Sequence, residues 1–348
     1  MTHTSSPPVP ETPPDKGVIV AAFYKFIHLS DPVAVQRDLQ KACESAGILG
    51  TILIAHEGIN GTICASRKGI CALMAHFADS PYFSDIQPKY SFAEEPAFYR
   101  MKVRLKREIV TMGQPDIDPE NSVGTYVPPQ EWNALISASD TLVIDTRNRY
   151  EVAIGTFENA VDPETASFRD FPTWVENYMA DLPEEKRPKN IAMFCTGGIR
   201  CEKGTSMMLN KGFKEVYHLK GGILGYLRER DADNSLWQGE CYVFDQRVSL
   251  AHRLEQGSYT NCGGCRMPLS EVDREHAQYI KGIQCGNCAH LYSEEDRRRF
   301  GERVKQQNLA RARGEDHLGL SAAALKRKRQ QARQLRQARS DASKHSDA

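Results

Sequence analysis

Blocks of period-two alternation and blocks of helical spacing succeed one another along the chain. Val18–Phe26 is apolar and β-branched, and Pro32–Ala46 has helical spacing, entered through Ser30-Asp31 and ended at Gly47. Ile48–Ala55 predicts a second strand. Asn60-Gly61 predicts a type I′ hairpin turn, because both residues tolerate positive φ, and Thr62–Ala65 the returning strand. Arg67–Ala78 reads as a helix and Tyr99–Glu108 as a last strand. This βαββαβ order predicts a ferredoxin-like α+β domain over residues 17–113.

In the last of those strands Arg100, Lys102, Arg104 and Lys106 alternate with Met101, Val103 and Leu105. Period two sets the four cations on one face and the apolar residues on the other. Two readings stay open: a solvated sheet face, or a stripe that follows nucleic-acid phosphates and relieves the repulsion among like charges.

Residues 123–233 change pattern. Thr141–Asp145, Ile191–Phe194 and Glu215–Leu219 are short buried-type strands; Phe171–Ala180 and Glu202–Lys211 have helical spacing. Such alternation predicts a doubly wound parallel sheet, whose sites form at the carboxyl ends of strands. Cys195 sits at one of those ends. Residues 234–292 carry four cysteines with little periodicity, and 293–348 are polar, helical in part or disordered. Residues 1–16, with five prolines and no basic-then-apolar layout, read as a disordered leader, not a signal peptide.

Charge adds what the pattern hides. The 348 residues balance 45 Lys+Arg against 45 Asp+Glu, yet Arg297–Ala348 holds 15 basic and 5 acidic residues, a net of +10. The preceding 296 residues therefore carry −10, so a neutral total does not exclude a nucleic-acid partner. Lys326–Arg329, Arg333, Arg336 and Arg339 form either a solvated tail or a phosphate-binding extension. The longest apolar run near the N-terminus, Val18–Phe23, is far too short for a bilayer. Ten cysteines without a secretion signal suggest catalysis or metal binding, and a cytoplasmic protein.

Cys195-Thr196-Gly197-Gly198-Ile199-Arg200 links a strand to a helix. Two glycines let backbone N–H groups turn toward the sulfur, the helix N-terminus adds positive potential, and Arg200 adds a full charge. All three favour thiolate over thiol. Cys201 is either a resolving thiol or a helix-packing residue. Four residues separate Cys195 from Arg200.

The block Leu142–Arg147, Tyr150-Glu151, Gly155-Thr156-Phe157, Ala160, the Cys195–Arg200 loop and Lys220-Gly221-Gly222 resembles a rhodanese domain, with Thr156 where many rhodaneses have His. In that superfamily the loop cysteine carries a persulfide. Cysteine phosphatases hold five residues in the equivalent loop, so this loop is sulfur-sized. Glu57–Ile63, Phe98–Val110, Cys195–Lys203, Gly239–Asp245 and the paired C-x-x-C motifs follow in the order of the bacterial tRNA uridine(34) hydroxylase family, which the chain resembles over residues 17–292. The resemblance implies oxygen-dependent conversion of the wobble uridine of tRNA to 5-hydroxyuridine, with molecular oxygen as co-substrate, the anticodon arm as partner and Cys195 as the reactive cysteine. It leaves two roles for Cys195: addition to C6 of uridine, or a persulfide supplying reducing equivalents. No haem or flavin signature and no facial triad for iron is present.

Cys262-x2-Cys265 and Cys285-x2-Cys288 stand 19 residues apart, a spacing suited to four thiolate ligands of a structural Zn²⁺. Redox-active or paired cysteines, or an empty site, are the alternatives; Cys241 and His252 read as core or surface residues before supplementary ligands. Cys43, Cys64 and Cys71 read as small apolar residues. Two other functions compete with hydroxylation: persulfide sulfurtransferase, and non-catalytic RNA-binding or zinc adaptor.

Overall fold

The computed structural model describes residues 8–13, 15–183 and 187–312. The first domain comprises β1 (Val18–Phe26), α1 (Pro32–Ser45), β2 (Leu49–Ala55), β3 (Gly58–Ala65), α2 (Arg67–Ala78), β4 (Lys89–Ala93) and β5 (Met101–Leu105). They form one sheet in the order β4-β1-β3-β2-β5. Asp31 caps α1 by accepting from the N–H groups of Val33 and Ala34, and Ser66 caps α2 through Gly69. Ile19, Ala21, Phe23, Ile52, Ile54 and Ile63 pack beneath the helices.

Two expectations for this domain need correction. The strand that completes the βαββαβ unit is Lys89–Ala93, antiparallel to β1. The basic strand is instead an added edge, parallel to β2. Nor is Asn60-Gly61 a turn: it lies inside β3, and His56-Glu57 make the reversal between Ala55 and Gly58. Gly61 is there because a Cβ would stand 2.8 Å from the Phe23 ring and 3.1 Å from Ile52. The expected disordered leader also differs in its described part. Val9 packs against the first core, and Arg67 donates to the carbonyls of Val9 and Pro10.

The second domain comprises β6 (Thr125–Val127), α3 (Pro129–Ile136), β7 (Thr141–Asp145), α4 (Arg149–Val152), β8 (Gly155–Phe157), α5 (Phe171–Asp181), β9 (Asn190–Phe194), α6 (Ile199–Asn210), β10 (Val216–Leu219) and α7 (Gly222–Glu229). Its four-stranded sheet runs β6-β10-β9-β7, all parallel. Separate cores lie on its two faces, one around Trp132, Phe194 and Tyr226, the other around Phe171, Val175 and Met208. Residues beyond the expected 123–233 segment pack onto this domain. β11 (Trp237–Gly239) pairs with β8, and Trp237 and Cys241 belong to the first of these cores.

Beyond them, β12 (Cys241–Tyr242) and β13 (Ser249–Leu250) pair, then β14 (Thr260–Asn261) and β15 (Pro268–Leu269). α8 (Glu271–Glu275) and α9 (Glu294–Ala312) follow. The cations at Lys326–Arg339 lie outside the described residues.

The domains are locked together by charge. Lys203 of α6, 1% exposed, meets Glu57 at 2.8 Å and Glu108 at 2.7 Å, both from the first domain. Arg247, buried and paired with Asp245, donates to Ser91 Oγ of β4 at 2.8 Å.

Candidate active site

Register assigns the two faces of the first sheet. Tyr24 pairs with Asn60, Ala22 with Thr62 and with Lys89, Thr51 with Thr62 and with Lys102, and Leu53 with Arg104. Directly paired residues share a face, so these residues stand opposite the helix-covered core. The polar face closes over the cysteine loop of the second domain. Between them lies a cavity of about 470 Å³, reached by Cys195, Thr196, Arg200, Asn60, Lys89 and Phe244 among others.

Cys195 follows β9, 1% exposed, at the floor of this cavity. The Gly198 N–H donates to its sulfur at 3.1 Å. Gly198 has φ +101°, and a Cβ there would stand 2.9 Å from the Tyr24 hydroxyl, so both backbone and space require glycine. The loop is braced from behind: Ile223 and Leu224 N–H groups at the start of α7 donate to the carbonyls of Cys195 and Thr196. Arg200 reaches Glu151 at 2.9 Å, and Glu151 itself caps α4 through Asn148 N–H.

Burial alone would push the Cys195 thiol up. The Cys201 thiol, the Arg200 guanidinium and the backbone N–H groups of Cys201 and Arg200 outweigh it and bring the group down to about 6. Burial and then the adjacent Cys195 thiolate push Cys201 up, so it serves as a thiol donor. The Thr156 hydroxyl donates to Asp145, which holds the buried Arg147.

The sequence pattern assigns no role to the other groups near the loop, although Glu202 and Phe244 lie within the motifs Cys195–Lys203 and Gly239–Asp245. Lys89 donates to the Gly197 carbonyl and lies 4.8 Å over the Tyr24 ring. Glu202, buried, accepts from Tyr24 at 2.7 Å and Tyr126 at 2.8 Å. Phe244, 58% exposed, stands at the cavity rim with the Arg200 guanidinium 5.8 Å from its ring centroid. The alternation Lys89-Tyr90-Ser91-Phe92-Ala93 is a strand signal; nothing in it marks the second domain as its cover.

Family comparisons match this architecture. Residues 18–109 match the UPF0176 acylphosphatase like domain, and residues 128–229 the rhodanese-like domain. The tRNA uridine(34) hydroxylase of Gluconobacter oxydans (strain 621H) is 52% identical over 301 residues, 86% of this chain and 96% of that one. That of Mesorhizobium japonicum (strain LMG 29417 / CECT 9101 / MAFF 303099) is 52% identical over 307 residues, 88% and 98% of the two chains. The chain belongs to the tRNA uridine(34) hydroxylase family.

The remaining expected residues of this family member fall into two groups. Arg100, Arg104 and Lys106 are exposed and Lys102 half-buried, and Lys102 and Arg104 lie on the same sheet face as the cavity. Burial, then Arg100 and Arg104, push the Lys102 ammonium down. Leu105, expected inside, is 44% exposed at the end of this edge strand. Cys262, Cys265, Cys285 and Cys288 converge, their sulfurs within 4.8 Å of one another, with three pairs at 3.7 Å. Cys241 and His252 stand apart from them, Cys241 in the rhodanese-like core. Cys43 and Cys64 are buried, and Cys71 is half-buried. Among the described residues no helix is long and apolar enough to cross a membrane.

Proposed function

We propose that this chain hydroxylates C5 of uridine 34 in tRNA, with Cys195 as the nucleophile that activates the base. The observation that carries the reading is a thiolate-favouring cysteine at the floor of a cavity roomy enough for a nucleoside, whose opposite wall continues into a cationic edge. Its relatives' names supply the substrate. A wobble uridine is an unpaired loop base, open to extrusion and stacking. Phe244 at the rim offers the stacking face, and Arg100, Lys102, Arg104 and Lys106 offer phosphate contacts beside it. The tRNA pool makes the enzyme cytoplasmic.

Addition of the Cys195 thiolate forms the S–C6 bond and moves the C5=C6 π pair through C4 onto O4. C5 thereby gains nucleophilic character toward dioxygen. In net terms one oxygen atom enters at C5 and the other leaves as water, with two electrons and two protons from an external reductant. Elimination of Cys195 restores the C5=C6 bond. Nucleoside mass spectrometry tests the assignment: 5-hydroxyuridine disappears from tRNA on deletion and returns with wild type but not Cys195→Ala. Under ¹⁸O₂ the product gains one ¹⁸O. Unchanged 5-hydroxyuridine in the deletion, with Cys195-dependent thiosulfate:cyanide turnover, would move the assignment to sulfur transfer.

The four-cysteine cluster holds one structural Zn²⁺ in this reading. Tetrahedral Zn–S bonds of about 2.3 Å separate sulfurs by about 3.8 Å, close to the 3.7 Å of three pairs. With four protein thiolates no position stays open for catalysis. One zinc per chain in the purified protein is the expected result.

A further inference from the structure

The first domain brings a cation to the cysteine. Lys89 stands on the polar sheet face as the partner of Ala22, and it lines the same cavity as Cys195. An ammonium carries three donors; one is taken up by the Gly197 carbonyl, and the Tyr24 ring lies 4.8 Å from Nζ. Holding a carbonyl needs only a neutral donor. Lys89 is half-buried, and a positive charge partly withdrawn from water is costly unless an anion meets it. Glu202, the carboxylate among its electrostatic neighbours, is already held by two tyrosine hydroxyls.

We propose that Lys89 is a catalytic residue of the hydroxylation, its ammonium hydrogen-bonding a uracil carbonyl oxygen and stabilising the enolate charge that thiolate addition creates there. The inference rests on uridine being the substrate. As the S–C6 bond forms and the C5=C6 pair moves onto O4, Lys89 donates a hydrogen bond to that oxygen. Elimination returns the pair to the ring and leaves the ammonium unchanged. The assignment makes the first domain part of the chemistry, and the rhodanese-like domain alone an incomplete site.

The charged and titratable groups that face Lys89 come from several elements. They are Tyr24 on β1, Cys195 in the loop, Cys201 and Glu202 on α6, His218 on β10 and Arg228 on α7. Burial is the main influence and pushes Lys89 down to about 8, against the pull of Cys195 and Glu202. His218 is pushed by burial to about 4 and stays neutral. Thiolate and ammonium therefore coexist between about 6 and about 8. Addition to the base should rise with pH as Cys195 ionises and fall as Lys89 loses its proton.

An anticodon stem–loop with 5-fluorouridine at position 34 isolates the addition step, because it forms a C6 thioether without needing dioxygen. The full chain is used, with adduct formation followed by gel shift across pH and iodoacetamide alkylation of Cys195 as a parallel readout. Lys89→Met should slow adduct formation about 100-fold, the scale of losing one oxyanion donor, while the alkylation rate at the plateau, with Cys195 fully ionised, changes by less than about threefold. Lys89→Arg, charged throughout, should lose the alkaline limb. Lys89→Gln repeats the test should the methionine variant fold poorly, with the alkylation rate as the check on the loop. Unchanged adduct formation in both neutral variants overturns the proposal. So does a parallel fall in the plateau alkylation rate, which would make Lys89 a brace of the loop only. Absence of any wild-type adduct overturns thiolate addition itself and the Lys89 role with it, a failure distinct from a wild-type adduct that survives the substitution.

Discussion

Cys195 faces a cavity with one backbone N–H at 3.1 Å and Arg200 behind it, whereas Cys262, Cys265, Cys285 and Cys288 face one another at 3.7 to 4.8 Å. The first arrangement stabilises a single negative sulfur with the protein's own dipoles and charge, leaving its outer side free to attack. The second crowds four sulfurs into one cluster, the arrangement that the proposed zinc would bridge. The same atom thus serves reactivity when its partners are N–H groups of the chain, and rigidity when its partners are other sulfurs. Accessibility separates them less than might be expected: Cys195 and Cys262 are both 1% exposed. What differs is which side of the sulfur is left without a partner.

The contrast can be broken by substitution, most severely at the cluster. Cys285→Ser should abolish zinc retention, because apparent structural zinc affinities of about 10–16 kcal/mol depend on a complete ligand set. Metal content and limited proteolysis after residue 260 check it; full zinc occupancy in the variant would dismiss a four-thiolate site. Next comes Lys203→Met, which strands Glu57 and Glu108 between the domains and should cost about 3–5 kcal/mol by urea unfolding. A loss below about 1 kcal/mol would mean the lock is only a surface pair.

Smaller effects sharpen the reactive side. Alkylation of wild-type Cys195 should reach half its maximum near pH 6, since the thiolate is the nucleophile and its fraction grows as pH rises through about 6. Arg200→Gln removes one stabilising charge and should raise that midpoint by about one to three units, slowing alkylation at neutral pH. An unmoved midpoint would leave the backbone N–H groups and Cys201 as the sole cause. The smallest effect belongs to the edge strand. Replacing Arg104 with Gln should flatten the salt dependence of tRNA binding by about 0.7 to 0.9 in log–log slope; an unchanged slope would return that residue to the solvated-face reading.

Much of the site can be read from residues in sequence, because its chemistry is local. The Cys195–Arg200 loop contains its own glycines, guanidinium and helix start, and the paired C-x-x-C knuckles contain their own turns. Sequence pattern misleads where two distant pieces meet. Asn60-Gly61 has the composition of a turn, but it is paired mid-strand on both sides, where Phe23 and Ile52 leave no room for a Cβ at Gly61. Arg100–Lys106 has the alternation of a strand, but alternation carries no information on which neighbour it pairs with, and it joins β2 as an edge. Lys89 and Tyr24 are invisible as site residues for the same reason. Each becomes chemically meaningful only when the polar face of one domain covers the loop of another.

Lys203 has a consequence for how a substrate arrives. With its ammonium 1% exposed and both carboxylate partners on the first domain, any hinge that parts the domains must break two close ion pairs at once. Opening like a jaw is therefore the unfavourable route to Cys195. In the proposed reaction the enzyme then acts as a fixed socket, and it is the uridine that swings out of its loop to be plugged in.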